Sequence, residues 1–82
     1  MSRKKVLIIE DDPDVLATLV EIMTLEDFGI DSADNGADGE AFLDIGSYDL
    51  LIVDWGLPDT TGIELLKKFR SKGVDTPVLM LT

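Results

Sequence analysis

Leu50-Leu51-Ile52-Val53-Asp54-Trp55-Gly56-Leu57-Pro58 is the stretch on which the fold turns. Four consecutive apolar residues, then a carboxylate, an aromatic residue, Gly and Pro, predict a strand buried on both faces that stops abruptly. A strand of that kind belongs in a parallel sheet. In open sheets of this class, ligand sites form beyond the carboxyl ends of the strands. Asp54 stands at such an end, where a lone acid reads equally well as a simple strand terminator.

A second run changes that balance. Val6-Leu7-Ile8-Ile9 is followed by Glu10-Asp11-Asp12-Pro13. With the two strands side by side, three or four acids meet on one rim, which is unfavourable without a cation or a shared proton. Oxygen-only donors suit a hard divalent ion, Mg²⁺ in particular.

Working outward, Asp12 is an N-cap candidate with Pro13 at the first helical position and Asp14 in the first turn. Capping is the better account of Asp12 than ligation. Val15, Leu16, Leu19, Val20, Ile22 and Met23 recur at helical spacing to about Leu25, and Phe28-Gly29 closes the unit. Ile30 to Ala33 reads as a short edge strand. Asn35-Gly36 leads into a helix bearing Ala37, Ala41, Phe42 and Ile45, in which Gly39 costs about 1 kcal/mol relative to Ala. Gly46-Ser47 closes it, and the central strand is expected over Tyr48 to Val53. Beyond Pro58, Thr61 and Glu64 fit a capping box for a third helix whose Ile63, Leu66 and Phe69 face inward, with Leu65 alongside. Lys67, Lys68, Arg70 and Lys72 suit that helix's C-terminal end and read as a solvated face. Gly73 ends the helix, and Val78 to Leu81 forms a last strand before Thr82. The β-α-β-α-β-α-β order implies an α/β fold with right-handed crossovers.

With 82 residues, the chain has room for one small domain. Lacking both Cys and His, it excludes thiolate, zinc-thiolate and Ser-His or Cys-His chemistry within itself. Seventeen Asp and Glu against seven Lys and Arg argue against direct nucleic-acid binding. The basic start Ser2-Arg3-Lys4-Lys5 precedes only four apolar residues, too few for a signal or a membrane span, so a cytoplasmic location is expected.

The ordered set of an acidic pair after the first strand, Asp54 ending the third, Pro58 and Gly62 behind it, and Pro77-Val78-Leu79-Met80-Leu81-Thr82 resembles a bacterial two-component response-regulator receiver domain, from Val6 to Thr82. Each motif alone is weak; the set at these spacings is specific. The resemblance implies a flavodoxin-like parallel sheet in the order 2-1-3-4, with helices on both faces. It implies that Asp54 accepts a phosphoryl group from a sensor histidine kinase or phosphotransfer protein with Mg²⁺. Asp11 then ligates the ion directly, Glu10 holds a metal-bound water and the Gly56 carbonyl completes the shell. Thr82 contacts the phosphoryl group, while Asp12, Pro13, Pro58, Thr61 and Gly62 are structural.

A full receiver continues through a further helix, strand and helix. Residues 1–82 are therefore expected to be a single receiver domain incomplete at its C-terminus and lacking an output domain. They are expected to be impaired in phosphorylation and to self-associate through an uncovered fourth strand exposing Val78, Leu79, Met80 and Leu81. Thr61 departs from the family's frequent Asp or Asn, and Gly39 from its frequent Ala. Two other functions stay open: a receiver-shaped interaction module that is not phosphorylated, and a Mg²⁺-dependent phosphatase with an Asp nucleophile. Phosphatases resembling haloacid dehalogenases place a second Asp two residues on, where this chain has Gly56.

Overall fold

The computed structural model describes residues 3–81, in which seven elements alternate along the chain. They are β1 (Lys5–Ile9), α1 (Pro13–Leu25), β2 (Gly29–Ala33), α2 (Gly36–Ile45), β3 (Leu50–Asp54), α3 (Gly62–Ser71) and β4 (Val78–Leu81). The strands form one parallel sheet in the order β2-β1-β3-β4. Its centre is the pair of apolar strands β1 and β3: Val6 through Ile9 and Leu51 through Val53 are essentially inaccessible.

Alternation along these strands splits the core in two. Leu7, Ile9, Leu51 and Val53 pack on one face with Leu65 and Phe69 of α3 and with Phe42 and Leu43 of α2. Val6, Ile8 and Ile52 pack on the other with Leu16, Leu19, Val20 and Met23 of α1. Each fully buried side chain of this size contributes roughly 1.5–3 kcal/mol of transfer free energy.

Several expectations are corrected at the helices and strand ends. Val15 and Ile22 belong to the α1 stripe by spacing, yet both are more than a third exposed because one helix covers that face of the sheet. Ile63 also points to solvent, leaving Leu65 and Phe69 to anchor α3. Only half of the capping box forms: the Thr61 hydroxyl accepts from the Glu64 amide at 3.1 Å, while the Glu64 carboxylate turns to Lys67. The central strand begins at Leu50, since Tyr48 enters the core by its side chain and donates its hydroxyl to Asp31 at 2.5 Å. On β4 only Leu79 is exposed; Val78, Met80 and Leu81 are partly covered.

The end of α1 holds a further correction. Gly29 is not the terminator; it starts β2 opposite Lys5. Asp27 instead adopts the left-handed conformation, with φ of 64°. The Phe28 and Asp27 amides donate back to Met23 and Thr24, a helix stop that glycine makes at lower cost. An acid here also opposes the helix dipole, and its 4.0 Å pairing with Arg3 is exposed and contributes little. Asp27→Gly is therefore expected to raise stability by about 1 kcal/mol, visible as a higher urea midpoint with an unchanged slope.

Gly39 has a packing reason for its place in α2. A Cβ there would sit 2.5 Å from Ile9 Cδ1 and 3.0 Å from Ile9 Cγ1. The helix gives up propensity to lie close against β1.

Candidate functional site

Ile9 and Val53 are register partners, so the next positions, Glu10 and Asp54, emerge side by side at the carboxyl rim. The Glu10 amide donates to the Ala33 carbonyl at 2.9 Å, which carries the β1–β2 ladder one step past the strand. The Trp55 amide donates to Leu81 at 2.9 Å and fixes Asp54 in the same manner against β4. Carboxylate oxygens of Glu10, Asp11 and Asp54 all lie within 4.8 Å of one another.

The three acids differ in environment. Asp11 is exposed, Asp54 half-buried, and Glu10 only 4% exposed. Burial, reinforced by the hydrogen bond and the negative charge of Asp54, pushes the Glu10 carboxyl up to about 7. They line an open cleft of about 750 Å³ with Asp12, Pro13 and Leu81, and among the described residues no Lys or Arg lines it. An all-oxygen donor set with one member held near neutrality is the arrangement that a hard divalent cation relieves.

Asp12 takes the capping role: one of its oxygens accepts from the amides of Asp14 at 2.9 Å and Val15 at 3.3 Å. Pro13 follows at the first helical position. Pro58 sits in a small hairpin after β3, in which Gly56 bridges Thr61 and the Leu57 amide donates to Thr60. Thr61 caps α3. Gly62 is buried at the base of the hairpin, its amide donating to the Trp55 carbonyl at 2.6 Å. Thr82 lies outside the described residues.

One residue was not singled out by its sequence context. Asp59, at the hairpin tip, reaches α2: its two oxygens accept from the Gly36 amide at 2.8 Å and the Ala37 amide at 3.0 Å. Those two amides hold its carboxyl below the usual carboxylate range. Nothing local in the sequence announces this contact, which spans 23 residues.

A family model of the response regulator receiver domain matches residues 6–82. The chain belongs to this family. Among its relatives, the transcriptional regulatory protein TcrA of Mycobacterium tuberculosis is 37% identical over 82 residues, which is 100% of this chain and 32% of TcrA. The response regulator TrrA of Thermotoga maritima, solved in complex with Mg²⁺-BeF, superimposes with a TM-score of 0.90 at 33% identity, covering 96% of this chain and 69% of that one. The structure of the histidine kinase ThkA in complex with TrrA gives a TM-score of 0.88 at 33% identity, over 96% of this chain and 68% of that one. The receiver described here thus spans about a third of the length of the first curated relatives it matches. Its sheet order is that of the receiver fold. No helix among the described residues is long and apolar enough to cross a membrane.

The basic cluster of α3 is spoken for within the receiver. Lys72 pairs with Glu40 at 3.0 Å and Asp44 at 3.4 Å, and Lys68 pairs with Glu40 at 3.6 Å. The solvated-face reading is sharpened to an ionic seam between α2 and α3.

Proposed function

We propose that this receiver is a phosphoacceptor of a two-component relay, taking a phosphoryl group from a histidine kinase onto Asp54 with Mg²⁺ beside it. Phosphoacceptor chemistry is supported above all by the convergence of the Glu10, Asp11 and Asp54 oxygens at the ends of adjacent strands. Asp11, Asp54 and the Gly56 carbonyl would hold the ion directly, and Glu10 would hold it through a water. When bound, Mg²⁺ supplies the positive charge that lets a carboxylate and an anionic donor approach one another.

The chain's own part is positional. Backbone bonds on both sides of β3 hold Asp54 at a fixed place on the rim, so its oxygen meets phosphorus without searching. The new oxygen–phosphorus bond forms as the donor's phosphorus–nitrogen bond breaks, its electron pair leaving with the imidazole. Thr82, beyond the described residues, is the proposed contact for the transferred group. The receiver turns over no separate substrate. One relative supports both ligand and partner: TrrA was solved with Mg²⁺-BeF and, separately, in complex with the histidine kinase ThkA.

Outside the site, we place the receiver in the cytoplasm, acting on an output domain not contained in residues 1–82. Lys68 and Lys72 pair with α2, Lys67 pairs with Glu64 of its own helix and Arg70 donates to the Val74 and Thr76 carbonyls, which with the acidic balance supports a role without direct nucleic-acid binding. Self-association is proposed through β4, which pairs only with β3 among the described residues and exposes Leu79. Sedimentation at rising concentration checks it; a monomer throughout would remove the idea.

Incubation with Mg²⁺ and a small acyl-phosphate donor tests the proposed chemistry. A phosphoryl adduct in the intact mass is expected, at partial occupancy in keeping with the impaired phosphorylation expected from the sequence. Absence of any adduct would favour a receiver-shaped interaction module instead.

A further inference from the structure

Within the hairpin Trp55–Thr61, Leu57 packs against the core face shared with Leu65 and Phe69, while the stretch on either side of it is loosely covered. Trp55 is half exposed, and a Cβ built on Gly56 would meet nothing within 4 Å. Its base is tied by the Gly62 amide to Trp55 and its turn by the Leu57 amide to Thr60. Its tip is tied to the rest of the molecule by Asp59, whose two oxygens take one amide each from the first two residues of α2. These are donors with no partner inside the helix, and an acid there also complements the helix dipole. Asn35 caps the third position separately, accepting from the Asp38 amide at 2.8 Å. Gly36 completes the joint, because a Cβ at that position would lie 2.5 Å from Thr60 Cγ2 and 3.2 Å from Asp59 Oδ1. Only glycine lets hairpin and helix approach this closely.

We propose that Asp59 is a positioning residue for the metal site, its carboxylate clamping the hairpin to α2 so that the Gly56 carbonyl is presented at a fixed place. This rests on the reading that Gly56 contributes to the Mg²⁺ shell. A loosened hairpin places that oxygen less accurately, and the two common divalent ions respond differently. Mg²⁺ demands near-ideal octahedral geometry at about 2.0–2.1 Å, whereas Ca²⁺ tolerates variable geometry at about 2.3–2.6 Å. Loss of the clamp therefore lowers Mg²⁺ affinity more than Ca²⁺ affinity. A simple loss of negative charge would weaken both ions alike.

The test is titration of the folded protein with Mg²⁺ and, separately, Ca²⁺, following the fluorescence of Trp55, the one Trp in the chain. Asp59→Ala is expected to lose about tenfold in Mg²⁺ affinity, the lower end for residues supporting a metal's ligands, with a smaller loss for Ca²⁺. Gly36→Ala leaves every charge in place and pushes the hairpin away through Thr60, so it should narrow the Mg²⁺ preference in the same direction. Asp59→Asn, close to isosteric and retaining one acceptor oxygen, should fall between, and it serves if Asp59→Ala does not fold. Equal losses for both ions, or unchanged Mg²⁺ affinity in the variants, would overturn the clamp while leaving the metal site standing. A wild-type chain indifferent to both ions would overturn the metal site itself, and the positioning role with it.

Discussion

Asp54→Asn is expected to abolish the phosphoryl adduct completely while raising the melting temperature measured without Mg²⁺. The first effect follows from chemistry, since an amide has no free carboxylate oxygen to attack phosphorus. The second follows from the electrostatics of the rim. Glu10 is almost wholly buried, and both the hydrogen bond and the charge of Asp54 add to the cost of ionising it. A neutral amide of nearly the same shape removes that charge and leaves the backbone bonds of β3 untouched. Relief on the order of 1 kcal/mol corresponds to a rise of about 5 °C for a domain of this size. Intact-mass spectrometry after incubation with donor, and a thermal melt in chelator, read the two effects separately. An adduct that survives the substitution would move the acceptor to another residue. A fall in melting temperature would mean that Asp54 stabilises the metal-free rim.

Gly62→Ala is expected to be the most damaging single-methyl change in the chain. Its Cβ would lie 2.6 Å from the Asp54 carbonyl oxygen, 3.3 Å from the Asp54 carbonyl carbon and 2.5 Å from Met80 Sδ. The thioether can turn aside. The carbonyl cannot, because it belongs to the strand that carries the proposed acceptor. Alanine gains up to about 1 kcal/mol of helix propensity over glycine, but overpacking against fixed backbone costs about 3 kcal/mol. The net loss lowers the melting temperature by roughly 10–15 °C. Because the strain falls on Asp54, the surviving folded fraction should also take up phosphoryl groups more slowly than wild type. A melt within a few degrees of wild type would show that α3 does not approach β3 as closely as described.

The contrast between Asp54 and Gly62 shows where the sequence is readable. Short apolar runs ending in acids identify β1 and β3 because both faces of those strands are buried, and a buried strand admits few other residue types. Once β1 and β3 are neighbours, the meeting of Glu10 with Asp54 follows from their equal position one step beyond the Ile9–Val53 pair. Asp12-Pro13 and Thr61 are legible because a cap is chosen by its own next few residues. What is not legible is contact at a distance. Gly39 registers locally only as a helix weakness, although it makes room for Ile9. Asp59 looks like an ordinary turn residue, and its partners lie 22 and 23 residues away. Ile63 has the spacing of an inward residue, but Leu65 and Phe69 take the core-facing positions. Asp27 shows the same limit in reverse: Gly29 invites the role of helix stop, and the backbone turns two residues earlier.

Asp11 and Asp54, with Glu10 behind them, are proposed to hold one magnesium ion at the rim. The most direct measurement is the melting temperature of the wild-type chain and of Asp11→Ala as Mg²⁺ is raised through the millimolar range. An ion bound only by the folded state stabilises it by about 2.7 kcal/mol at a hundred times its dissociation constant. The wild-type melt should therefore climb steadily with Mg²⁺ while the Asp11→Ala melt stays flat. A wild-type melt that ignores Mg²⁺, or an Asp11→Ala protein that follows the wild-type curve, would contradict that arrangement.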